Sequence, residues 1–78
     1  MAQLRWRCRR GMKELDLLLL KYVDSWYVDD SQLLQQAFKR LLSMPDPEIM
    51  DLLTRRRVAE DEDLVLIIER LLNPGSTD

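Results

Sequence analysis

Residues 12–27, Met-Lys-Glu-Leu-Asp-Leu-Leu-Leu-Leu-Lys-Tyr-Val-Asp-Ser-Trp-Tyr, decide the fold. Within them Leu15, Leu18, Leu19, Tyr22, Val23 and Trp26 follow the i, i+3, i+4, i+7, i+8, i+11 series of an amphipathic helix. The spacing predicts a central helix over about Met12 to Tyr27, and its apolar stripe demands other elements to cover it. Those elements lie downstream. Leu33, Leu34, Ala37, Phe38, Leu41 and Leu42 form a second stripe, started by Asp29 or Asp30 and ended between Ser43 and Pro45. Asp46 is a good N-cap, and Pro47 suits the first turn of a third, short helix carrying Ile49, Met50, Leu52 and Leu53. Leu64, Ile67, Ile68, Leu71 and Leu72 make the last stripe, opened by Glu60-Asp61-Glu62-Asp63 and closed by Asn73-Pro74-Gly75. Upstream, residues 2–9 are expected to form a small first helix that stops at Gly11.

No segment alternates with period 2, and no internal repeat is present. Short connectors fold neighbouring helices back on one another, so the expected fold is all-α: a small compact bundle of four to five helices. At 78 residues it is one domain, with its core over about residues 4–72 and a frayed tail over 73–78. A chain of this size buries only roughly 60% of the surface it exposes when unfolded, which leaves a thin stability margin.

Composition removes several function classes. There is no histidine, so the commonest general base and the Ser-His and Cys-His nucleophilic systems are missing. The lone Cys8 can form no internal disulfide, and with no second cysteine there is no zinc ligand set. Cys8 reads as a small buried apolar group rather than a reactive thiol. The acidic pairs Asp29-Asp30 and Glu60 to Asp63 precede apolar stripes, where helix N-termini favour acids, so they read as caps. The longest apolar run, Leu17 to Leu20, is far below the roughly 20 residues of a membrane span, and the start lacks the apolar core of a secretion signal. A cytosolic protein with no catalytic, metal or cofactor site of its own is expected.

Charge is asymmetric. Residues 1–13 hold Arg5, Arg7, Arg9, Arg10 and Lys13 without an acid, a charge of +5, while residues 14–78 stand at −7. The basic end suggests an anionic partner surface, a nucleotide phosphate or a nucleic acid, or else a solvated face that balances the acidic body. Nucleic acid is disfavoured even with Arg55-Arg56-Arg57 as a second basic patch, because the net charge is −2 and the pI about 5.1. Inside this basic end, Arg10-Gly11-x-x-Glu14 places the chain's only internal glycine where a helix would otherwise continue.

The segment Trp6-x-Cys8-Arg9-Arg10-Gly11-Met12-x-Glu14-Leu15-Asp16 closely resembles the signature of the succinate dehydrogenase assembly factors known as flavinators, the SdhE family, whose hallmark is Arg-Gly-x-x-Glu. The resemblance extends more loosely over residues 4–72, including the Asp46-Pro47-Glu48-Ile49 helix start. Members of that family often carry tryptophan where Leu52 stands and a glycine soon afterwards, where this chain has Arg55 to Arg57; the departure concerns the later surface and not the hallmark.

The resemblance implies a helical bundle that binds the flavoprotein subunit of succinate dehydrogenase, and possibly that of fumarate reductase, and promotes covalent attachment of FAD. The acceptor in that client is a histidine of the client itself, and a chain without histidine cannot be the carrier. FAD therefore belongs to the client, and the helper is a bacterial cytoplasmic, monomeric, non-enzymatic protein. Partner contacts are expected at Arg10, Gly11 and Glu14, with Trp6, Arg9, Met12 and Asp16 beside them. Gly11 permits positive φ and close approach of a partner to the main chain. Arg10 offers a five-donor fork to a carboxylate or carbonyl cluster. Glu14 can stabilise exposed N–H groups, hold Arg10, or meet a cation on the client. A small antitoxin-like regulator and a nucleic-acid binder are the alternative readings.

Overall fold

A computed structural model of the chain describes residues 2–73. Among them are five α-helices, α1 (Ala2–Arg7), α2 (Lys13–Ser25), α3 (Gln32–Leu42), α4 (Asp46–Leu53) and α5 (Glu62–Leu72), with a 3-10 turn at Tyr27–Asp29 between α2 and α3. No strand occurs among the described residues. The predicted bundle is therefore found, with α3 against α5 as its most extensive helix pair. The fraying expected at the C-terminal end lies outside the described residues beyond Asn73.

The predicted stripes build the core. Leu15, Leu19, Tyr22 and Val23 of α2, Ala37, Phe38, Leu41 and Leu42 of α3, Ile49 of α4, and Ile67 and Leu71 of α5 are buried in one apolar cluster. The Tyr22 and Phe38 rings pack with centroids 4.7 Å apart, and Tyr27 stands edge-on to Tyr22 at 6.2 Å. Leu4 and Cys8 are buried as well, so α1 is docked on this core and not splayed from it. Leu33, assigned to the second stripe, is largely exposed, because the buried face of α3 is centred on Ala37, Phe38 and Leu41 and leaves position 33 at its edge.

Helix starts differ from local expectation at two places, and both differences concern an aspartate. Helix α3 is capped by Ser31, whose hydroxyl accepts from the Leu34 N–H at 3.2 Å, and not by Asp29 or Asp30. Asp30 is drawn elsewhere: it accepts from the Tyr22 hydroxyl at 2.6 Å and from Arg70 Nη2 and Nε at 2.8 and 3.2 Å. Helix α4 begins one residue early, with Pro45 in the cap position and Asp46 already helical, its carboxylate turned to Arg10. At α5 the acidic cluster does what its position predicts, and Asp61 accepts from the Asp63 N–H at 2.8 Å. The Arg40 guanidinium donates to Asp61 as well and holds its carboxyl below the usual carboxylate range.

Helix α4 ends with Arg55 at φ +61°. The Arg56 N–H donates to Asp51 O at 2.9 Å and the Arg55 N–H to Leu52 O at 3.3 Å, the Schellman pattern that ordinarily places glycine at this residue. Arg55 reaches Glu69 at 2.8 Å and Arg57 reaches Glu48 at 3.2 Å. Two of the three arginines that could have made a second basic patch are thus paired within the chain.

Candidate docking site at the first helix junction

Helix α1 is too short to stand alone, and three kinds of contact hold it. Leu4 and Cys8 enter the core, Arg5 pairs with Asp24 on α2, and Arg7 donates to Lys39 O of α3 at 3.4 Å and to Ser43 Oγ just after it at 3.2 Å. The Cys8 thiol is fully buried, and burial pushes it up to about 11 despite the surrounding arginines. It is a packed group and a poor nucleophile near neutral pH.

Beyond α1 the chain turns through Arg9, Arg10 and Gly11 into α2. Gly11 has φ +87°, the left-handed region, and a Cβ placed there would meet nothing within 4 Å. The glycine is thus required by backbone angle and not by crowding, and the space above it is open. Asp16, one turn into α2, accepts from two successive backbone groups, the Arg10 N–H at 2.8 Å and the Gly11 N–H at 3.2 Å.

The Arg10 side chain runs inward. Its Nε donates to Asp46, Nη1 donates to Leu42 O at 2.9 Å and to Arg7 O at 3.3 Å, and Nη2 donates to Met44 O at 2.8 Å. Only 16% of the side chain is exposed. The fork expected to grip a partner is therefore occupied by the α3–α4 turn, and Asp46 holds Arg10 where Glu14 was one expected holder. Glu14 is exposed and forms no ion pair among the described residues.

Leu15 of the signature is buried in the core, whereas Trp6, Arg9 and Met12 face outward. Trp6 is 75% exposed, Met12 39%, and Arg9 and Lys13 are exposed beside them. Trp6, Arg5, Arg9 and Leu20 line a surface depression between α1 and α2, and Leu17, one turn before Leu20, is 58% exposed. Leu17 and Leu20 were missed as site candidates, yet the sequence carried a signal for them: they belong to a run of four leucines of which the helical stripe needs only Leu18 and Leu19. The junction thus brings Trp6, Arg9, Gly11, Met12 and Glu14 to the surface, and uses Arg10 and Asp16 to shape it. No cluster of three or more potential metal ligands occurs among the described residues.

The model for a family described as flavinator of succinate dehydrogenase matches residues 2–74. This chain belongs to that family. Curated relatives named FAD assembly factor SdhE include one from Colwellia psychrerythraea, 41% identical over 71 residues that cover 91% of this chain and 78% of the relative. Those from Idiomarina loihiensis and Shewanella oneidensis are 38% and 40% identical, covering 91% and 86% of this chain and 79% and 82% of the relatives. No solved structure gives a significant match. The family's matched span takes in the whole junction, from the start of α1 to the end of α5. No helix among the described residues is long and apolar enough to cross a membrane.

Proposed function

We propose that this protein is an assembly factor that binds the flavoprotein subunit of succinate dehydrogenase, and in the same way that of fumarate reductase, and promotes covalent attachment of FAD to it. The observation that carries the reading is the family match across residues 2–74 together with an Arg10-Gly11-x-x-Glu14 junction whose glycine stands at positive φ under open space. A partner main chain can approach Gly11 closely, while Trp6 and Met12 supply apolar area, and Arg9 and the exposed Glu14 offer opposite charges for orientation. Arg10 and Asp16 belong to the same site as the groups that give the loop its shape.

The chain acts without chemistry of its own. It offers no histidine to carry FAD and no glycine-rich phosphate loop to hold it, so the flavin stays with the client. Attachment needs the flavin ring and the client's histidine held in register, and negative charge developing on the flavin must be stabilised. By preferring the client conformation in which these are aligned, the helper raises its population by no more than its differential affinity for that state. A free monomer in the bacterial cytoplasm suits this role, and the similar curated relatives are bacterial proteins.

Co-expression with the succinate dehydrogenase flavoprotein tests the proposal. Flavin fluorescence should stay with the client band on a denaturing gel when this protein is present and drop when it is absent. Equal covalent flavin in both samples would overturn the proposal.

A further inference from the structure

We propose that Asp46, 36 residues away from Arg10 in the chain, is a positioning residue of the docking site, acting through Arg10 to set the backbone shape of the Gly11 loop that the client reads. This rests on the function proposed above, and it assigns to Asp46 a role beyond starting a helix.

Three observations converge on Arg10. Its guanidinium sits where α3 ends and α4 begins, a connection of only Ser43 to Pro45. The last carbonyls of a helix lack internal partners and carry the negative end of its dipole; Arg10 donates to Leu42 O and Met44 O in that region, at 2.9 and 2.8 Å. The first turn of the next helix favours an anion, and the Asp46 carboxylate stands there and takes the Arg10 Nε–H. The turn is therefore a preformed receptor for one planar cation, with carbonyls and a carboxylate matched to the fork. A lysine ammonium has neither the reach of the fork nor its planar geometry.

The backbone of the same residue is fixed from the other side, since Asp16 accepts the N–H groups of Arg10 and Gly11. Residue 10 is thus pinned by its side chain to α3 and α4 and by its main chain to α2. Gly11 connects these two anchor points, and its φ of +87° is the conformation that lets the chain pass between them. With its donors engaged, Arg10 is not the group that meets a partner; it fixes the positions of those that do. Loosening Asp46 therefore loosens the surface without removing any exposed contact.

The test combines two readouts on the full chain. In the free protein, Asp46→Ala should speed amide hydrogen exchange at Arg10 and Gly11 by about tenfold and leave Ile67 in the core unchanged. Unchanged exchange at residues 10 and 11 would overturn the pinning whatever the client does. In flavinylation assays titrated with client, Asp46→Ala should raise the half-saturating client concentration by roughly tenfold, the effect of one lost preorganised contact, with the plateau rate kept.

Ile67→Val, a core variant at the far side, serves as the stability control and should leave that concentration unaltered at temperatures where both variants are folded. A shift equal to that of the control would make Asp46 merely structural. Adding Asp46→Ala to Arg10→Ala should produce no further shift, and additive shifts would mean that Asp46 meets the client directly and would overturn the proposal. Asp46→Asn, which keeps an acceptor, should restore part of the loss. Should the wild-type protein fail to raise flavinylation at all, the function reading falls, while the exchange measurement still decides the pinning.

Discussion

Arg10 and Arg70 are equally hidden, each with 16% of its side chain exposed, yet they serve different ends. Arg70 lies in α5 and meets Asp30, a carboxylate only 8% exposed, through two nitrogens while its guanidinium covers the Trp26 ring at 4.8 Å. Tyr22 adds a hydroxyl to the same carboxylate. This latch ties α2, the entry to α3 and α5 together inside the bundle. Arg10 instead spends most of its donors on main-chain carbonyls, pairs with the more exposed Asp46, and has a glycine at positive φ as its neighbour, beside exposed Trp6 and Met12. A part-buried ion pair with side-chain acceptors ties elements of the bundle together. A cation that gathers carbonyls beside an exposed loop fixes a shape.

The largest effect expected from this contrast is on stability, at Asp30. Asp30→Ala leaves the largely covered Arg70 without its counter-ion and the Tyr22 hydroxyl without its acceptor, a change that costs about 3 kcal/mol or somewhat more, towards the lower end for breaking a buried pair. A domain of this size has a total stability of about 5 kcal/mol, so the variant should keep at most about 2 kcal/mol and unfold at far lower urea than the wild type. Asp46→Ala should cost clearly less, because Asp46 is 30% exposed and Arg10 keeps its three carbonyl acceptors. Urea denaturation of the two variants checks the order, and equal losses would dissolve the distinction between the latches.

Gly11→Arg is expected to separate activity from folding. Holding a side chain at φ +87° costs about 1–2 kcal/mol, yet nothing within 4 Å would clash with its Cβ, so most of the domain should remain folded. The new side chain would fill the open space above the loop, and covalent flavin on the client should be abolished. Circular dichroism and melting, read beside the flavin gel, decide the matter: collapse of the helical signal would make Gly11 a folding residue first.

Much of this was legible in the sequence because it is local. Stripes at helical spacing located the helices, the lone cysteine declared itself a packed group, and the glycine break located the junction. What the sequence hid is the tertiary use of charge. Asp30 and Asp46 both stand where local rules assign a cap, and their partners Arg70 and Arg10 are 40 and 36 residues away. A carboxylate before an apolar stripe looks the same whether it caps its own helix or neutralises another, and only packing decides. Arg55 was illegible for a related reason: neither glycine nor asparagine marks the left-handed residue after α4, and its pairing with Glu69 across the α4–α5 gap is again long-range.

The smallest predicted effect bears on both latches at once through alkaline pH. Burial raises the Cys8 thiol, under the docking junction, to about 11, against about 9 when exposed. It also raises Tyr22, beside Asp30, with the hydrogen bond to that carboxylate acting in the same sense. In both cases the folded chain holds a proton that the unfolded chain releases more readily. The stability from Cys8 is fully present below about pH 9 and is lost as pH rises towards 11. Melting temperatures of the wild type should accordingly decline over this window, and Cys8→Ala, which removes one titrating group and keeps Tyr22, should decline less steeply. Parallel slopes would assign the whole alkaline loss to Tyr22 and the Arg70 latch. A flattened slope would show that the packing under the docking junction also contributes to the stability of the bundle, so that the junction combines a core anchor at Cys8 with a shaped surface at Gly11, three residues apart.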